Sequence, residues 1–106
     1  MKALCLVLLF PSLLYAQTVS LDNARVPPSV GVIDSRGAIW TLSSADLGNG
    51  NRAILRNGSI NPAGGTGSVL LVWRGDVYAL GIDKTWWRLD APSNTWVCVG
   101  PDPTLI

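Results

Sequence analysis

Histidine is absent from this 106-residue chain, and so is glutamate. Losing imidazole removes the commonest general base and metal ligand. Losing glutamate while carrying 11 glycines leaves a composition poor in helix formers. Cysteine is nearly absent too: Cys5 lies in an N-terminal apolar run, which leaves Cys98 as the only thiol beyond it. Once that run is cleaved off, the one remaining cysteine excludes an intrachain disulfide. No apolar run reaches the ~18–20 residues of a membrane-spanning helix. There is no Lys/Arg cluster either, so neither nucleic acid nor an anionic membrane finds an electrostatic footprint.

The first sixteen residues, MKALCLVLLFPSLLYA, have one lysine, an apolar middle broken by Pro11 and a small residue, Ala16, before QTVS. That is the layout of a cleaved secretory signal over 1–16, although Leu14 is bulkier than the usual residue near such a cut. The expected address is secreted, extracellular. Cys5 sits within the apolar run, which does not suit a lipoprotein cleavage site. The remaining ninety residues make one small domain with balanced charge, in which every acid is aspartate. A domain of this size without disulfides needs large buried side chains, and the five tryptophans are the obvious supply.

Residues 17–29 read as an extended lead-in, because Pro27 and Pro28 exclude helix. From Val30 to Pro103, short apolar runs alternate with turn signals: GVID, AIWTLSS, RAILR, SVLLVW, VYALGI, TWWRL and TWVCV. Asn57-Gly58 between two such runs is a hairpin signal, since both positions must take positive φ. The expected fold is all-β, about seven or eight short antiparallel strands in two blade-like units, either propeller-like or a small β-sandwich. A weak internal echo supports two units. VIDSRGAIWTL (32–42) and GIDKTWWRL (81–89) share an Ile-Asp pair, a turn, an aromatic and Trp-x-Leu, matching Trp40 to Trp87 and Leu42 to Leu89. The two tryptophans are spaced within the ~40–50-residue period of propeller blades.

Successive side chains of a strand point to opposite faces, so the adjacent Trp86 and Trp87 must separate. Trp87 shares the recurring Trp-x-Leu face with Leu89 and is the better core candidate, as is Trp73 at the end of an apolar run. Trp86 shares the other face with Arg88, and an indole beside a guanidinium suits stacking on a sugar ring or an aromatic ligand. The plainer alternative is that this face is also covered. Trp96 alternates with Cys98 and fits either layer. Cys98 itself, in TWVCV, reads as a small buried hydrophobe.

Nothing in the chain marks an enzyme: no nucleophile elbow, phosphate loop or metal-ligand spacing appears. Asp34, Asp76, Asp83 and Asp90 fall in turns or at strand ends, where aspartate bonds its own backbone. Arg74-Gly75-Asp76 spells an integrin-type tripeptide at a hairpin tip, but ordinary turn chemistry accounts for it. Asn57-Gly58-Ser59 is a glycosylation sequon, relevant if the source glycosylates.

The succession IDSRGAIWTL, AILRNG, GGTGSVLLVW, GDVYALGIDKTWWRL and TWVCVGPDP (30–103) resembles a Trp-rich secreted β-repeat module. Such modules are similar to tectonin-like and kelch-like propeller blades and occur appended to extracellular polysaccharide-active enzymes. The resemblance implies a non-catalytic, lectin-like module without a cofactor, with Trp86, Arg88 and Tyr78 as contact positions; Trp96 completes the candidate set. The expected partner is a glycan, with an extracellular protein as the alternative. Unpaired sheet edges leave a homo-oligomer open as a third possibility.

Overall fold

Turn residues set the strand boundaries. Asn57 and Gly58 take φ of 52° and 85°, and Arg74 and Gly75 take 52° and 84°, the paired left-handed conformations of two-residue hairpins. The computed structural model describes residues 18–105, so the expected leader lies outside the described residues. Ten short strands follow in order: β1 (Ala24–Val26), β2 (Val32–Ile33), β3 (Ile39–Leu42), β4 (Arg52–Arg56), β5 (Ser59–Ile60), β6 (Thr66–Gly67), β7 (Val69–Trp73), β8 (Asp76–Leu80), β9 (Trp86–Asp90) and β10 (Thr95–Gly100). One 3-10 turn, Pro103–Leu105, closes the tail.

The strands form two open antiparallel sheets, so the fold is all-β as expected. The first has the order β1-β7-β8-β9-β10, and the second β2-β3-β4-β5, with β6 also paired to β4. Each sheet is built on a meander of four consecutive strands, β7–β10 and β2–β5. The strand number exceeds the expectation for two reasons. Some pairings span only two residues, and the lead-in contributes β1, whose Ala24, Arg25 and Val26 pair with Val72, Leu71 and Leu70. The echo between 32–42 and 81–89 is local. Trp40 lies on the second strand of its meander, whereas Trp87 lies on the third.

Both sheets contribute to one shared core. Val26, Leu70, Val72, Val77, Ala79 and Leu89 from the first pack with Val32, Ala38, Trp40 and Ile54 from the second. Trp40 is the anchor, fully buried and edge-on to Trp96 with ring centroids 6.2 Å apart. Its indole N–H donates to Asp34 Oδ2 at 2.8 Å, while Asp34 Oδ1 accepts the backbone N–H groups of Arg36 and Ala38. A buried carboxylate is tolerable only when satisfied in this way. Aspartate thus plays the turn role expected of it, and Asp83 does the same by accepting from Thr85 N at 3.0 Å.

A second apolar cluster lies on the outer face of the first sheet: Leu71, Tyr78 and Trp86, with Val69, Trp73, Leu80 and Val99 packed around them. β1 and the segment after β10 cover this face. Arg25 of β1 places its guanidinium 5.5 Å from the Trp86 ring centroid and pairs with Asp102 at 3.0 Å. The next residue, Pro103, is buried and shares a cleft with Trp73, Tyr78 and Val99. Cys98 corrects another expectation: it is exposed, because β10 is an edge strand and TWVCV is covered on fewer sides than its apolar alternation suggests.

Candidate functional site

Alternation along β9 does separate the two adjacent indoles, but their environments are the reverse of those expected. Trp86, expected to offer its face to a ligand, is only 5 % exposed. It sits under Arg25 and the returning tail, contacts made by segments that read as lead-in and domain edge. Trp87, expected in the core, is half-buried and lines an open cleft.

The other expected contact residues divide between the faces. Tyr78 and Arg88 are cross-strand partners on the outer face with Trp86. Tyr78 is buried, and burial, followed by the nearby Asp76, raises its phenol above the ordinary pKa. Arg88 is partly exposed and lies 3.8 Å from Asp90. The Ser93 hydroxyl, then Arg88 and Arg36, hold the Asp90 carboxyl below its usual range, a desolvation contribution notwithstanding. Trp96 alone lies on the inner face beside Trp87. Asn57 is exposed at its hairpin tip, with Oδ1 accepting from Ile39 N at 2.9 Å. The Arg74-Gly75-Asp76 turn is docked on its neighbours: Arg74 N donates to Asp22 Oδ1, and Gly75 O accepts from Ser35 N.

The inner-face cleft measures about 160 Å³ and is lined by Ile54, Gly65, Thr66, Ala79, Gly81, Trp87 and Trp96. Trp96 is fixed by its T-shaped contact with Trp40 and by Nε1 donating to Gly64 O at 3.1 Å. Gly65 is required beside it. Its φ is +96°, and a Cβ there would meet Trp96 Nε1 at 2.8 Å. Thr66 is steadied by Asn51 Nδ2, which donates to its hydroxyl at 2.6 Å. Two indoles, an aliphatic floor and a hydroxyl therefore surround a space open to solvent.

A larger groove of about 560 Å³ runs along Pro27, Pro28, Leu42, Ser43 and Arg52. It has no aromatic wall, and its one charged lining residue, Arg52, already donates to the carbonyls of Ser43 and Ser44. The tryptophan-lined cleft is the better candidate for a ligand with a flat face. Among the described residues, no group of three or more His, Cys, Asp or Glu side chains is placed to hold a metal, and no helix is long and apolar enough to cross a membrane. The glycines that shape the cleft, Gly65 and Gly81, escape a sequence reading, since their loops look like ordinary turns.

No protein-family model matches the chain, and neither does any curated protein sequence or solved structure.

Proposed function

We propose that the chain is a secreted, non-catalytic binding module whose cleft between Trp87 and Trp96 seats one ring of a carbohydrate. The observation that carries this reading is the cleft's size and walls. At about 160 Å³ it is close to a cavity of ~150 Å³ that holds one benzene molecule, and because it is open to solvent it can take the face of one sugar ring without enclosing the hydroxyls. An indole offers a sugar the flat apolar surface that the C–H face of a pyranose needs, while polar rim groups meet its hydroxyls. The resemblance of AILRNG and TWWRL to Trp-rich modules of secreted polysaccharide-active proteins supports the same ligand class. Secretion is supported by the layout of residues 1–16.

A glycan array probed with wild type and with Trp87→Ala tests the reading. Binding to one or more glycans that is lost in Trp87→Ala supports it; no binding, or binding unchanged in the variant, rejects it. A second reading, docking of an extracellular protein, is favoured by the free edge of β10, where Val97 is 41 % exposed and Cys98 is open. An added strand would pair there. Retention of a protein from extracellular fluid that free sugar cannot elute would favour this second reading over the first.

A further inference from the structure

Two segments place an aspartate at a turn ahead of a Trp-x-Leu strand, yet they treat the indole N–H differently. In the first, Trp40 follows Asp34 by six positions and its Nε1 reaches Asp34 Oδ2 at 2.8 Å, out of solvent. In the second, Trp87 follows Asp83 by only four positions. Asp83 Oδ1 accepts from Thr85 N at 3.0 Å, and Trp87 Nε1 has no acceptor among the described residues. The backbone of the two turns is the same. Gly81 N donates to Thr85 O at 2.8 Å and Lys84 N to Gly81 O at 3.0 Å, as Asp34 N does to Ala38 O at 3.1 Å and Gly37 N to Asp34 O at 3.0 Å. A glycine therefore stands where the first turn has its aspartate.

Gly81 lies beside both polar groups. A Cβ at this position would lie 3.3 Å from Asp83 Oδ1 and 3.3 Å from Trp87 Nε1. The carboxylate acceptor, the indole donor and, at 3.4 Å, the Thr85 carbonyl therefore border one small space beside the glycine. Gly81 and Trp87 both line the cleft, and Asp83 stands next to Gly81 at its margin without lining it.

We infer that the gap between Asp83 and Trp87 Nε1 reads a hydroxyl group on the ring seated in the cleft. A hydroxyl both accepts and donates through one oxygen. It takes the hydrogen of Trp87 Nε1 and gives its own to the Asp83 carboxylate, supplying to Trp87 what Asp34 supplies to Trp40. A bare ring edge or methyl group there would cover the indole N–H without satisfying it, and sites built around a hydroxyl discriminate strongly against ligands lacking one. The ligand class is therefore a ring with an apolar face and a hydroxylated edge, a pyranose rather than a plain aromatic. This inference rests on the cleft being the binding site proposed above.

The test follows the indole N–H resonances of ¹⁵N-labelled protein during titration with methyl glucoside, methyl galactoside, methyl mannoside and toluene. At least one pyranoside is expected to shift the Trp87 Nε1–H signal, while toluene shifts cleft resonances of Trp96 and Thr66 without a hydrogen-bond shift at Trp87. Gly81→Ala, whose methyl fills the gap, and Asp83→Ala, which removes the acceptor, are each expected to weaken that pyranoside about tenfold. If a pyranoside perturbs Trp96 and Thr66 but leaves Trp87 Nε1–H unmoved, and both variants bind it equally well, the hydroxyl contact is wrong while the cleft reading stands. If no probe perturbs any cleft resonance, the cleft reading fails and the inference falls with it. A Gly-Tyr-Gly peptide that moves Trp87 Nε1–H at lower concentration than any pyranoside would overturn the sugar assignment.

Discussion

Arg25 lies over the indole of Trp86, with its guanidinium carbon 5.5 Å from the ring centroid, and is tied on another side to Asp102 at 3.0 Å. The strand before the first hairpin and the tail after the last one meet at this point and seal the outer face of the first sheet. Arg25→Ala is expected to remove a cation–π contact, an ion pair and the packing of the side-chain stem, at a cost of about 1–2 kcal/mol. Denaturant unfolding measures the loss. A red-shifted tryptophan emission in the folded variant would report the opening of Trp86 to water.

Acid is expected to loosen the same contact. Burial pushes the Asp102 carboxyl up, but bonds from Thr104 and the Arg25 guanidinium outweigh it and hold the group below its ordinary value. A carboxyl that is more acidic in the folded state contributes stability above its unfolded pKa of about 4, and that contribution is lost as pH falls through the folded value. Thermal unfolding followed from pH 6 to pH 2 should show wild type losing stability below about pH 4, with Asp102→Asn losing less over that window. Tyr78 acts at the other end of the scale. Its raised phenol pKa predicts a further loss as pH rises beyond about 10.

Much of the architecture was legible in residue order. The Asn57-Gly58 hairpin follows from the need for positive φ, Gly75 marks the next turn although the left-handed Arg74 at φ 52° does not, and strand alternation sends Trp86 and Trp87 to opposite faces. Which face stays open was not legible. The closure of the Trp86 side depends on Arg25 and Asp102, 77 positions apart, in segments whose local patterns read as lead-in and edge. Cys98 misled for the same reason: an apolar alternation tells which residues share a face, not whether the strand has a neighbour. The cleft stayed hidden because its shape depends on Gly65 and Gly81, two missing side chains in loops rich in glycine.

Trp40 and Asp34 form the polar anchor of the core, so Trp40→Phe is expected to be costly although the aromatic ring is kept. The variant leaves Asp34 Oδ2 without its donor in a buried site and shrinks the side chain. The expected loss is about 2–4 kcal/mol, measured by chemical denaturation. A loss below about 0.5 kcal/mol, the range of ordinary surface substitutions, would show that the bond contributes little.

Gly65→Ala is expected to act on both the backbone and the cleft. A side chain at φ +96° is strained by about 1–2 kcal/mol, and the new methyl displaces Trp96 Nε1 from Gly64 O. Near-ultraviolet circular dichroism should change with Trp96, and any ligand bound in the cleft by wild type should bind more weakly.

Trp87, and not its neighbour Trp86, faces a solvent-open cleft. Hydroxyl-radical footprinting of the native protein, read at each tryptophan by mass spectrometry, tests it without knowledge of a ligand. The expected result is fast oxidation of Trp87, with Trp86 and Trp40 protected until the protein is unfolded. Oxidation of Trp86 at a rate equal to or above that of Trp87 would contradict the claim.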